Sequence, residues 1–348
     1  MERIQGGRVL LFLAWTFGVS WGFDGLVIYL GGLDAYHNLG MNPWGMLAPA
    51  FVAIILQMFI FKDSPIHFRT FKEKPRWILL GFLLLTVLYA VLTMISIFHP
   101  QSRRIFQGVG ALLFTLWTLL VFFIGGQSKA GAFERAGLRL GDMKLGPRFV
   151  FGIIVFFAVQ ASANLLFNLG KLQIRAETVY GVPIPSSLYI PSLIVLFIAV
   201  TVIGTPLSGL AAVFGEEYGW RGFLQSELVK LGKRKGVLLV GLIWGVWHFP
   251  VILRGIHTYP PSALGLSLGI IFFVLWGIIQ SYAVLKTGSI WIAAFMHGVV
   301  NSVYGFMLTY IARPFKNVPS FGLGIYGLLC MVVVVYFILR DPIWKNSP

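Results

Sequence analysis

The feature that most constrains this chain is the recurrence of apolar runs about as long as a bilayer is thick. A helix climbs about 1.5 Å per residue, so about 20 apolar residues cross a hydrocarbon core of about 30 Å. Ten such windows are legible in the 348 residues, at roughly 9–30, 44–61, 77–98, 106–125, 148–168, 190–228, 236–252, 264–285, 290–311 and 322–339. Inside lipid no water satisfies backbone N–H and C=O groups, so a spanning segment is a helix or part of a closed barrel. Barrel strands read as short alternating segments, whereas these runs are long and continuous. The predicted class is an all-α, polytopic membrane protein of about ten transmembrane helices. The charged fraction, 11%, agrees, since soluble domains carry about 25%.

The sixth window, 190–228, is too long for one simple helix, and Gly204, Thr205 and Pro206 predict a kink or break inside it. Orientation follows from lysine and arginine in the connections. With the N-terminus inside and sides alternating, the inner connections hold 19 of them and the outer connections 7. That bias predicts both termini on the inner side, a single crossing over 190–228, and a multi-pass protein of the cell membrane. The net charge of +15 is then a property of the inner loops. No nucleic-acid motif accompanies it, so the bilayer, and no nucleic acid, is the expected partner. The lone Cys330 excludes a disulfide or a cysteine metal site within the chain. The opening MERIQGGRVLLFLAW continues apolar to about Leu30 without a small-residue cleavage site, and reads as a retained first span.

The basic loop 126–148 divides the chain into residues 1–147, about four helices without an evident role, and residues 148–348, which hold all the candidate chemistry within 204–305. Three apolar segments there carry polar groups. They are FGEEYGWRG with Glu216, Glu217 and Arg221, LIWGVWHFP with His248, and WIAAFMHGVVNSV with His297 and Asn301. Ionisable groups at membrane depth are costly, and they mark cavities and functional sites. Counted along the helix from the nearest inner boundary, Glu216 lies about 21 Å in, His248 about 18 Å, and His297 and Asn301 about 10 and 16 Å. The depths overlap, so the three segments can meet in one cavity.

Helical spacing separates the two glutamates. Glu217 and Arg221 are four apart, share a face and can pair, which suits a brace. Glu216 points about 100° away and has no local partner, which suits chemistry. A single buried histidine is more often a core residue than a catalyst. Two at matching depth beside an unpaired glutamate favour a shared site. Glu216 with His248 could deprotonate a water, while His297 and Asn301 could donate to a developing oxyanion, a combination suited to amide hydrolysis. Zinc on Glu216, His248 and His297 is the alternative, since these are the ligand types of a catalytic site with an open position. No H-E-x-x-H is present, and Asn301 is a better oxyanion donor than zinc ligand, so chemistry without a cofactor is the preferred reading.

These residues resemble the CAAX prenyl protease and bacteriocin-processing family of intramembrane endopeptidases, which includes the type II CAAX prenyl endopeptidases. Glu216-Glu217-Tyr-Gly-Trp-Arg221 matches the family's E-E-x-x-x-R, Trp244-x-x-x-His248 its aromatic–histidine motif, and His297-x-x-x-Asn301 its third. The likeness covers about residues 204–305, with Trp244 standing where phenylalanine is common. It implies that the first glutamate and first histidine activate water and that the second histidine and the asparagine form the oxyanion hole. It leaves the metal open, and it implies a peptide or protein substrate whose prenylation is also open.

Two other classes compete. A bacteriocin-immunity or scaffold protein would keep the motifs for stability alone. A transporter would show broken helices in both halves, and only one clear break is legible. Asp24 in the first span is expected to pair with a base, line a cavity or sit near the outer boundary. Arg254, His257 and Arg313 are expected to be solvated, Gln280 to form a hydrogen bond between packed helices, and Gly298 and Gly305 to permit close helix contact.

Overall fold

The computed structural model describes residues 4–38, 43–142, 144–170, 178–179, 182–183, 185–199, 204, 209–255, 259–306 and 318–345. Among these, everything regular is helical except one antiparallel pair, β1 (Thr178–Val179) with β2 (Val182–Pro183). The N-terminal part holds α1 (Gly6–Asn38), α2 (Pro43–Ile55), α3 (Arg76–Phe98), α4 (Arg103–Gly125) and the short α5 (Ala130–Arg135). It is followed by α6 (Gly146–Leu166), α7 (Ser186–Ile198), α8 (Leu210–Glu217), α9 (Gln225–Leu228), α10 (Lys233–Trp247), α11 (Phe249–Leu253), α12 (Ala263–Thr287), α13 (Ile290–Phe306) and α14 (Ile325–Ile338).

Six helices are long and apolar enough to cross a membrane, and three shorter apolar ones, Trp44–Ile60, Ile290–Val303 and Ile325–Ile338, join them among the described residues. The protein is a polytopic membrane protein. Of the expected segment over 190–228, the described residues include α7, which ends at Ile198, and the run that begins at α8. Of the break residues, Thr205 and Pro206 lie outside the described residues, as do His257 and Arg313. The outward faces are apolar at helical spacing, as with Leu84, Val87, Val91 and Phe98 on α3 and Leu329, Val333 and Phe337 on α14. Water would make such faces unstable, whereas lipid accepts them.

Both described chain ends lie at one end of the bundle. The Gln5 N–H donates to Glu227, Lys233 donates to the carbonyl of Ile343, and Lys286 pairs with Asp341 at 2.7 Å. Asp142 at the same end donates its N–H to the Thr287 carbonyl.

The parts before and after residue 147 share a core. One continuous cluster of buried side chains runs from Val9 and Phe12 through Phe214 and Trp244 to Trp344. Small residues set how closely the site helices approach their neighbours. A Cβ on Gly215 would stand 2.4 Å from the Met46 carbonyl, and one on Gly219 2.4 Å from Pro49, so only glycine lets α2 lie this close to the glutamate helix. On the other side, a Cβ on Gly277 of α12 would stand 3.2 Å from the Gly241 backbone of α10.

Helix α1 kinks at Gly32, where φ is +73°, and clasps the segment around His248. Trp21 donates its indole N–H to the Trp247 carbonyl at 3.1 Å, and Trp247 donates its own to Ser20 at 3.0 Å. Asp24 accepts from Tyr36 at 2.9 Å and faces Arg254 at 3.5 Å. Arg254 therefore departs from its expected solvated position. A buried carboxylate one helix away draws the guanidinium in, and the Tyr36 ring stacks under it at 5.1 Å.

Candidate active site

The glutamates occupy the C-terminal end of α8, where the helix does not stop but widens. Over Tyr218–Leu224 the turn is π-helical, and the Gln225 N–H reaches back five residues to the Trp220 carbonyl. Wide turns of this kind recur at functional sites because the extra residue re-aims side chains. Both glutamates are buried, yet they face different helices. Glu216 turns towards α10 and accepts the Trp244 indole N–H at 2.7 Å. Glu217 turns towards α12 and α13.

Glu217 is the more heavily engaged of the two. Its Oε1 accepts from Arg221 Nη1 at 3.2 Å, from Gln280 Nε2 at 3.0 Å and from His297 Nδ1 at 2.8 Å. Arg221 closes a ring by donating Nη2 to Gln280 Oε1 at 2.9 Å. The side chains of Glu217 and Arg221 have no exposed area. A buried ion pair holds only when further hydrogen bonds satisfy it, and Gln280 supplies these to both partners. Gln280 is thus an interhelical hydrogen-bond former, as expected. An amide amid the apolar residues of α12 was the available sequence signal.

His248 sits where α10 ends. Pro250, lacking an N–H, cannot continue the ladder, and the chain restarts as α11. The ring stacks on Phe273 at 3.7 Å between centroids. Its Nδ1 lies 2.9 Å from the Trp244 carbonyl. A carbonyl only accepts, so Nδ1 carries the hydrogen and, in the neutral ring, Nε2 carries the lone pair. His297 projects from α13, with Nδ1 committed to Glu217. Asn301 stands one turn further along α13 and is exposed.

Trp244 joins these groups. Its ring lies 5.5 Å from the His248 ring and 5.7 Å from the His297 ring, and Arg221 sits 4.1 Å over its face. The three segments thus converge on one buried indole. Two features differ from the sequence expectation. His297 is tied to Glu217, the glutamate read as a brace, and Glu216 has a partner after all, in Trp244. Both are contacts between helices, which periodicity within one helix does not report. The departure from phenylalanine at Trp244 supplies a donor that phenylalanine lacks, a role the sequence reading did not assign. Among the described residues no three His, Cys, Asp or Glu side chains gather as a metal-binding group. Glu216 Oε2 accepts from the indole and His297 Nδ1 donates to Glu217, so Glu216 Oε1 and the Nε2 atoms of His248 and His297 are the positions that would hold a zinc ion.

Residues 191–303 match the family described as Type II CAAX prenyl endopeptidase Rce1-like. Over 98 residues, 26% of the chain, it is 35% identical to CAAX prenyl protease 2 of Methanococcus maripaludis. The chain spans 36% of that relative's length. No solved structure matches significantly. The segment that carries the motif helices is therefore similar to the Rce1-like type II CAAX prenyl endopeptidases.

Proposed function

We propose that the protein is an intramembrane endopeptidase of the cell membrane, with both termini on the inner side, that hydrolyses a peptide bond with an activated water. The observation that carries this reading is the convergence of Glu216, His248 and His297 on Trp244 within the family-matched segment. The relative's name, a CAAX prenyl protease, makes a prenylated C-terminal peptide the first substrate to test.

In the proposed reaction a water lies between the Glu216 carboxylate and His248 Nε2. One of them takes its proton as the oxygen bonds to the scissile carbonyl carbon. The carbonyl π electrons move onto oxygen, and the oxyanion accepts hydrogen bonds from His297 and Asn301. Collapse breaks the C–N bond, and the stored proton passes to the leaving amine. With Nδ1 turned to Glu217, His297 offers Nε2 to the oxyanion, and Nε2 donates only in the imidazolium form. Arg221 and Glu217 act as support. Residues 1–147 serve as a buttress, with α2 against α8 and α1 against Trp247. No step is routed through a metal.

The test uses purified protein in liposomes and a fluorescent peptide ending in farnesylated cysteine and three further residues. Wild type is expected to release the tripeptide, with EDTA leaving the rate unchanged, and Glu216→Gln, His248→Ala and His297→Ala to lose cleavage while remaining folded. Normal turnover by Glu216→Gln would show that this carboxylate does not activate the water. Motif variants that lose folding and not turnover would support a scaffold instead.

A further inference from the structure

We propose that Trp244 is a positioning residue that holds the water-activating pair, Glu216 and His248, in register with each other. The inference rests on the hydrolytic reading above and assigns to that site a residue whose part in it is otherwise only that of a buried aromatic.

Three observations carry it. The side chain donates Nε1–H to Glu216 Oε2 at 2.7 Å, and the backbone carbonyl of the same residue lies 2.9 Å from His248 Nδ1. One residue therefore fixes a carboxylate through its indole and an imidazole through its main chain, with four residues of α10 setting the offset between them. The ring is 1% exposed and is gripped on several sides. Phe273 meets it at 4.8 Å, and the two imidazoles approach it at interplanar angles of 72° and 73°. It has no room to swing, so the direction of its N–H is set by packing.

The charge placement adds to this. Arg221 lies 4.1 Å above the ring centroid, on the electron-rich face, while the N–H at the ring edge points to Glu216. A cation over the face draws density from the indole and makes its N–H a stronger donor. Arg221, which pairs directly with Glu217, reaches Glu216 through the tryptophan. The consequence for chemistry is geometric. With Oε2 occupied by the indole, Oε1 is the oxygen left to take the water's proton, and it is held from rotating away. A residue that merely filled the core would need neither the N–H nor its alignment with a carboxylate.

Trp244→Phe keeps most of the ring and removes the donor. It is assayed in liposomes with the farnesylated peptide, alongside Glu216→Gln, with melting followed in detergent. The expected result is a fall in kcat of about 10- to 100-fold, the scale of one hydrogen bond to a charged group, with KM within about twofold of wild type. Benzothienylalanine at position 244, introduced at a suppressed stop codon, has the shape of tryptophan without the N–H. It is expected to give the same loss even if Trp244→Phe folds poorly. Normal kcat in the benzothienylalanine protein, with Glu216→Gln inactive, would overturn the positioning role and leave the hydrolytic reading intact. A parallel drop in kcat, KM affinity and melting temperature in both variants would also overturn it, as a purely structural effect. Full activity in Glu216→Gln, or an inert wild type, would overturn the parent reading itself.

Discussion

Adjacent isosteric substitutions at Glu216 and Glu217 should have opposite consequences. Glu217 stands 3.2 Å from Arg221, and neither side chain has exposed area. At an effective dielectric of about 20, two unit charges at that distance attract by about 5 kcal/mol. Removing one member of a buried pair measures about 3–5 kcal/mol, because the other charge stays buried without its counter-ion. Glu217→Gln keeps shape and leaves a carbonyl oxygen for Arg221 and His297, so the loss is the charge and not the contacts. At about 2 °C per kcal/mol for a large domain, the melting temperature should fall on the order of 6–10 °C. Glu216→Gln removes no paired countercharge, and its amide oxygen still accepts from Trp244. It should melt within about 2 °C of wild type and show no cleavage. Thermal denaturation of both purified variants, read by tryptophan fluorescence, decides the matter. A Glu217→Gln protein as stable as wild type, or a Glu216→Gln protein as unstable as that predicted for Glu217→Gln, would refute the division of labour.

Other perturbations follow from the same geometry. Gln280→Leu opens the ring around Glu217 and Arg221, leaving two buried charged groups each short of a partner, and should cost about 2–4 kcal/mol, visible as a lower melting temperature. Gly219→Val places a side chain where Pro49 already lies at 2.4 Å, so α2 must move off the glutamate helix, and the membrane-inserted yield should fall severely on size-exclusion chromatography. At the bundle end, the hydrogen bond from Lys286 holds the Asp341 carboxyl below the usual carboxylate range. A depressed folded-state pKa stabilises above the unfolded value, about 4, and the contribution disappears as pH falls through the folded one. Melting between about pH 5 and 3 should therefore drop more steeply in wild type than in Asp341→Asn.

Much of this was legible in the sequence because it depends on one helix at a time. Apolar run length gave membrane helices, and the spacing of Glu217 and Arg221 gave a shared face. Depth counted along each segment put Glu216, His248 and His297 within reach of a common cavity. The family motifs named the residues without saying how they touch.

What the chain alone determined is that polar groups sit at fixed heights on apolar helices, since backbone hydrogen bonding in lipid forces regular helices with a known rise. What only the tertiary structure decided is which side chain meets which across the gaps. His297 belongs to Glu217, Trp244 holds Glu216, and Gln280 closes the ring with Arg221. Those choices depend on how each helix is rotated about its axis and how near its neighbour lies. Glycine contacts such as Gly215 against Met46 and the widened turn after Glu217 set these quantities, and no period within a single segment encodes them.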